Sequence, residues 1–381
     1  LSCSSSQKLV NRPYQESSSI ISGSEVLKSS NKTTYNGNYG LNAQWTVYNG
    51  SKRLKTIEQE KLNNRVADLD VATSENDIEQ SIAQVYIQIL YAAESVKVNE
   101  NTLQVSEAQR DRGKQLLDAG SIARSDYAQL EAQVSTDRYQ LVTAQATLQD
   151  YKLQLKQLLE LDGEQEMQVY LPALGDENVL SPLPTKTDVF RSAVALRPEI
   201  EASKLSVEAS ELGIGIAKSG YLPSVSLTAG IGTNHTSGSD FTFGEQVKNG
   251  WNNSIGLSIS VPIFNNRQTK SAVEKAKLQY QTSQLTLLDE QKTLYKTIEG
   301  LWLDANSAQQ RYAAAIEKLH STQTSYELVS EQFNAGMKNT VELLTEKNNL
   351  LQAQQELLQS KYMAILNTQL LKFYQGDKIT L

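Results

Sequence analysis

The chain of 381 residues has one cysteine, two histidines and seven prolines. The single Cys3 excludes an intrachain disulfide and any zinc cage built from several thiolates. His235 and His320 leave little material for histidine-based catalysis or metal binding, so neither an enzyme nor a cofactor is expected. No apolar run reaches the roughly 18 residues of a membrane-spanning helix. A net charge of −7 argues against a nucleic-acid partner, which calls for a basic surface. Hydrophobic residues make up only 39%, a low share for an ordinary globular core.

What is present is said twice. Gly40-Leu41 recurs as Gly256-Leu257 and Ala119-Gly120 as Ala335-Gly336, the same offset of 216 positions each time (256 − 40; 336 − 120). Both halves keep register across the intervening 80 residues or so, which points to two like units packed in a spatially repeated architecture.

The prolines fall at 13, 172, 182, 184, 198, 223 and 262, leaving the tracts 50–118 and 266–334 free of them. In the first tract Ile78, Ile82, Val85, Ile89, Ala92, Val96 and Leu103 mark a spacing of alternately four and three. In the second, Leu294, Ile298, Leu301, Ala305, Ala308, Tyr312, Ala315 and Leu319 do the same. Such spacing predicts coiled-coil helices. At about 1.5 Å per residue, a helix filling either tract runs to roughly 100 Å. Each tract ends in a glycine break, and further helices are expected over about 125–160 and 340–374, capped by Ser125 or by Asn339-Thr340. Their stripes are Leu130, Val134, Leu141, Leu148 and Leu155, then Leu343, Leu350, Leu357 and Leu371. Each half thus reads as a helical hairpin. Heptads alone also fit a filament or a spacer.

Short strands add to this. Leu41, Ala43, Trp45 and Val47 alternate with Asn42, Gln44 and Thr46, and Leu257, Ile259, Val261 and Ile263 alternate with Ser258, Ser260 and Pro262. Val225, Leu227, Ala229 and Ile231 alternate with Ser224, Ser226, Thr228 and Gly230, and Leu1 and Cys3 with Ser2 and Ser4. Apolar faces opposed by small uncharged polar ones fit a membrane barrel with a wet lumen. Tyr35, Tyr39, Trp45 and Trp251 are candidate interfacial aromatics. The Ser-, Asn- and Gly-rich stretches 7–36 and 233–251 read as outer loops. A soluble sheet with one buried face shows the same alternation. Four strands cannot close a barrel, which takes about eight, and open edges are not tolerated in lipid. Three chains supplying twelve strands are the simplest closed solution.

The second strand pair is preceded by a helical stretch, roughly Asp188 to Lys218, with nothing comparable before Leu1. An N-terminal helix and an export signal are therefore expected to lie outside this sequence. Lipidation of Cys3 is the weaker reading, because the small-residue run such a site needs is missing.

Ala195-Leu196-Arg197-Pro198-Glu199-Ile200, then a small-residue helix, then Gly220-Tyr221-Leu222-Pro223-Ser224 resembles the opening of a repeat in the TolC-like outer-membrane efflux protein family. Gly256-Leu257-Ser258-Ile259-Ser260-Val261-Pro262-Ile263-Phe264, with Asn265-Asn266, is similar to that family's strand end and turn. The hairpin turns match as well, Gly120 with Asp126 and Gly336 with Glu342. The first half departs at Thr46, where the family motif has proline, and at Tyr48-Asn49-Gly50.

The resemblance implies a mixed fold: a membrane β-barrel and a long α-helical barrel, with two structural repeats and four strands per chain, closed by homotrimerisation. The implied division is a first barrel hairpin with its outer loop (1–48), a first helical hairpin of a periplasmic tunnel (49–160), an equatorial segment (161–186) and a helix opening the second repeat (187–221). A second barrel hairpin (222–264), a second helical hairpin (265–374) and a C-terminal tail (375–381) follow. The implied function is export of small molecules or proteins, delivered by pump and adaptor, through the outer membrane of a Gram-negative bacterium. Implied partners are two further copies, outer-membrane lipid, a periplasmic adaptor and an inner-membrane pump, of either drug-efflux or type I secretion class. The alternative is a soluble periplasmic coiled-coil scaffold.

By the same resemblance Glu342 lines a pore constriction, with Thr345 standing where a second acid is found. Three copies of Glu342 would form a cation-favouring ring. Asp126 and Lys338 fill the acid and base positions of a tip latch, and Phe333 replaces its tyrosine. Lys338 would bind there as a point charge, without a guanidinium fork. Gln115, Leu117, Gly120, Ser121, Ile122, Gly336, Met337 and Asn339 are candidate adaptor contacts.

Overall fold

The structure, a computed structural model, describes residues 2–15, 29–161, 167–172, 175, 179–237 and 240–379. The chain forms two compact units, one of residues 1–63 and 207–283 and the other of residues 64–206 and 284–381.

The first unit is built on a four-stranded antiparallel sheet in the order β1 (Ser2–Gln15), β2 (Ser29–Asn49), β3 (Ser224–Thr236), β4 (Asn252–Ser260). Its register sorts the side chains by chemistry. Trp45, Leu227 and Leu257 form one cross-strand row, and Ala43, Ala229 and Ile255 another. Thr46, Ser226 and Ser258 form a row of the opposite kind, as do Gln44, Thr228 and Gly256. Because strand side chains alternate faces, one face is apolar and the other small and polar. The apolar face is bare: Trp45 is 60% exposed, Leu257 66% and Ile255 84%.

The expected loops are shorter than their composition suggested. β1 and β2 run far into 7–36, pairing Gln15 with Ser29. The stretch 233–251 holds the end of β3 and a helix, α5 (Phe243–Asn249), whose Thr242 cap accepts from Glu245 N. Small polar residues mark loops in a soluble sheet, but they also suit a strand face turned toward water.

Helices α1 (Lys52–Asp118) and α6 (Gln268–Asn334) each have 67 residues, and α2 (Arg124–Leu158) and α7 (Thr340–Gln375) follow them. α1 and α6 begin and end 216 positions apart, so the duplication is one of structure as well as sequence. The entry turns repeat despite different residues: Gly50-Ser51 and Asn266-Arg267 are both consecutive left-handed pairs. Asn49 Oδ1 accepts from Arg53 N at 3.1 Å, giving the first entry turn a cap that offsets its departure from the family motif.

The stretch expected as one helix over 188–218 is two, α3 (Lys186–Leu196) and α4 (Pro198–Lys218). Arg197 is extended at ψ 126 because the following proline ring disfavours helical geometry there. That break buries the guanidinium, which lies 4.0 Å from the Tyr374 ring centre and 4.8 Å from that of Phe373.

In the second unit the core follows the stripes. Val189, Ala193 and Ile200 pack with Leu294, Ile298 and Ala305 of α6 and Leu371 and Tyr374 of α7. Ile87 and Leu90 of α1 meet Tyr362 of α7. Ile89, Ala92 and Val96 are buried as their spacing predicts, whereas Ile78, at the start of that seam, is 49% exposed.

Candidate functional site

The two hairpin turns are near copies. α1 stops at Asp118, and Gly120 sits at φ +73, donating its N–H to Leu117 O at 2.9 Å while Ser121 N donates to Leu116 O at 2.8 Å. Gly336 sits at φ +75, its N–H on Phe333 O at 2.9 Å, with Met337 N on Gln332 O at 2.8 Å. This is the Schellman closure, which satisfies the last carbonyls of a helix. Open space surrounds both glycines, so left-handed backbone geometry alone accounts for them.

The restarts differ. Asn339 caps α7, accepting Glu342 N at 2.9 Å, and Glu342 Oε2 in turn accepts Asn339 N at 3.2 Å. That is a complete capping box. At α2 the cap position is Ala123, which has no side-chain acceptor, and only Asp126 Oδ2 returns a bond, from Ala123 N at 3.3 Å. Ser125, an expected cap, lies inside the first turn because the glycine closure sets the restart earlier.

Both turns line one cavity of about 590 Å3, bringing together Gly120, Ser121, Ile122, Asp126, Phe333, Gly336, Met337, Lys338, Asn339 and Glu342. Gln115, Leu117 and Thr345 lie outside its lining. Gln115 Oε1 accepts from Arg112 at 3.1 Å, and exposed Thr345 donates to Val341 O at 2.8 Å. Met337 is exposed, whereas Phe333 is buried with Leu130 and Leu343. Phe333 therefore packs the two hairpins together, a role that needs no hydroxyl.

Lys338 does not bond to Asp126 within the chain. Its Nζ donates to Glu342 Oε1 at 2.5 Å, the acceptor one helical turn on. This bond, with the one from Asn339 N, holds the Glu342 carboxyl below its ordinary range.

The sequence reading missed a buried charge network deeper in the same helices. Lys347 of α7 donates to Asp137 of α2 and Ser106 of α1, and Ser106 donates to Asp137. The Lys347 and Asp137 side chains are 4% and 1% exposed. Burial pushes the Lys347 ammonium below its ordinary value, against the opposing pull of Asp137. A signal was present: Asp137 continues the spacing Leu130, Val134, Leu141, and Lys347 lies four residues past Leu343. Nearby, Gln109 Nε2 donates to Tyr326 Oη at 2.8 Å.

Among the described residues no cluster of His, Cys, Asp and Glu could hold a metal ion, and no helix is long and apolar enough to cross a membrane.

Two helical hairpins thus continue from strands whose apolar face is bare. The structure of CusC shares that fold, with a TM-score of 0.77 and 19% identity, covering 98% of this chain and 83% of that one. The outer membrane efflux protein profile matches residues 11–160 and 189–376, and the chain belongs to that family. It is accordingly an outer-membrane protein. The outer membrane protein TolC of Escherichia coli (strain K12) is 25% identical over 335 residues, covering 84% of this chain and 66% of its own length. The outer membrane efflux protein BepC of Brucella suis biovar 1 (strain 1330) is 24% identical over 294 residues, covering 77% and 61%. The chain thus spans slightly less than two thirds of these two relatives.

Proposed function

We propose that three copies of the chain form a channel-tunnel: a shared outer-membrane barrel of twelve strands continued by a periplasmic barrel of helices. The exposed apolar sheet face carries this reading. A face bearing Trp45, Ile255 and Leu257 has no place in water, and β1 and β4 leave the sheet of one chain with two edges. Lipid tolerates neither an open edge nor an unpaired backbone, and cyclic symmetry closes both ends at once.

The hairpin turns around Gly120 and Gly336 form the periplasmic tip in this reading. Exposed Met337, with Gln115, Leu117, Ser121, Ile122 and Asn339, meets the periplasmic adaptor, which joins the channel to an inner-membrane pump. Glu342, repeated around the axis, forms the constriction ring, with Thr345 one turn deeper. Asp126 and Lys338 latch the tip by a contact that competes with the Lys338–Glu342 bond. Small molecules or proteins pass through the lumen without chemical change.

Native mass of the protein extracted from outer membranes in mild detergent tests the assembly. Three chains, after detergent is subtracted, is the expected result. A water-soluble monomer or dimer would instead favour a periplasmic scaffold and remove the channel reading.

A further inference from the structure

The buried charges of the second unit lie where helices of both hairpins meet. Lys347 on α7 reaches Asp137 on α2 and Ser106 on α1, and Gln133 Nε2 donates to the other Asp137 oxygen at 2.9 Å. The duplication fails here. The positions 216 residues away hold Glu131, Ala353 and Thr322. Glu131 is exposed, Ala353 is a buried methyl, and Thr322 donates to the Lys318 and Leu319 carbonyls of its own helix. A chain whose α1 and α6 begin and end 216 positions apart thus places this network, among the described residues, at one junction only.

A buried ion pair contributes little net stability compared with well-packed apolar groups, because both charges lose their hydration. It penalises misalignment. The leucines of α7 at 343, 350 and 357 would meet apolar neighbours again after a slip along the seam, whereas a slipped Lys347 would strand two buried charges. Glu342 precedes Lys347 by five residues, about 7.5 Å along the helix at 1.5 Å per residue. Fixing one fixes the height of the other.

We propose that Lys347, with Asp137 and Ser106, is a positioning residue: it sets the axial register of α7 against α1 and α2 and so holds Glu342 at the constriction. The inference rests on the reading of Glu342 as the constriction residue.

The test is the full protein carrying Lys347→Met, Asp137→Leu and Ser106→Ala together, reconstituted in planar lipid bilayers beside the parent. The variant is expected to assemble with the parent's mass. The parent is expected to show one conductance level with cation preference, and the variant several levels without it. One conductance level with the parent's preference overturns the proposal. Failure to assemble also overturns it, because a device that selects register is dispensable for folding. Glu342→Gln in the otherwise unchanged protein separates the two readings. If it leaves cation preference intact, Glu342 is not the constriction, while the number of levels in the triple variant still reports on register.

Discussion

Lys338 Nζ lies 2.5 Å from Glu342 Oε1, and the other oxygen of that carboxylate takes Asn339 N. Glu342 is therefore at once the returning half of a capping box and half of an ion pair. A carboxyl whose folded pKa is depressed adds stability above its ordinary range and loses it as pH falls through the lower folded value. The start of α7 should accordingly loosen only in acid, below the ordinary carboxylate range.

If three copies of Glu342 line the constriction as proposed, each faces its own Lys338 and the ring is one of ion pairs. Lys338→Met should therefore raise the preference for cations. It should also move the acid midpoint of that preference upward, because the largest cause of the depressed pKa is removed. Conductance and reversal potentials recorded across acid pH check both. An unmoved midpoint would mean that Lys338 does not set the charge at the pore.

The latch makes a separate demand. Asp126 Oδ2 is engaged by Ala123 N at 3.3 Å and Lys338 by Glu342, so an Asp126–Lys338 contact competes with bonds already formed. An exposed pair of this kind is worth under about 1 kcal/mol, and only threefold repetition makes it matter. Asp126→Ala with Lys338→Ala is expected to raise conductance. Conductance equal to the parent's removes the latch from the mechanism.

Gly113 is buried in α1, and a Cβ there would come 2.3 Å from Leu130 Cδ1 of α2. Leu130 is buried, so its methyl cannot swing clear, and overpacking of this sort costs about 1–3 kcal/mol against the roughly 0.5–1 kcal/mol that alanine gains over glycine inside a helix; Gly113→Ala should lower the melting temperature. Leu130→Val, added to it, should recover part of the loss by withdrawing the clashing methyl. A double-mutant cycle measures the coupling, and strictly additive effects would show that α1 and α2 do not pack this closely.

Much of this was legible because periodicity is a local property. The offset between Gly120 and Gly336 located both turns, and the stripes through Ile89 and Ile298 named core positions. The alternation around Trp45 and Leu257 sorted the sheet faces, since strand side chains have only two directions. What stayed hidden depends on who meets whom. Arg197 reads as a motif letter until Tyr374 is seen beneath it. Asp137 and Lys347 each look like a single polar interruption of an apolar stripe, and 210 residues separate them. The Lys338–Glu342 pair is legible, because one turn of helix separates the two, whereas the family resemblance pairs Lys338 with Asp126. β1 and β2 outrun the loop expectation because serine and asparagine suit a wet strand face as well as a loop.

The sheet offers the sharpest contrast between neighbouring residues. Leu257 lies in the row with Trp45 and Leu227, and Ser258 in the row with Thr46 and Ser226. Adjacent strand residues point to opposite faces, so an arginine at one position should meet lipid and at the other the lumen. Arginine on the lipid face of a barrel costs about 2–4 kcal/mol at the bilayer midplane, and lumen positions are tolerant. Leu257→Arg should therefore reduce the amount of assembled protein recovered from outer membranes. Ser258→Arg should assemble normally and weaken cation preference by adding three positive charges to the pore. Equal assembly of the two variants would show that the row through Trp45 does not face lipid. A soluble sheet predicts a different result: with its apolar face buried against protein, Leu257→Arg would destabilise the fold in detergent and in water alike, and Ser258→Arg would leave no electrical trace.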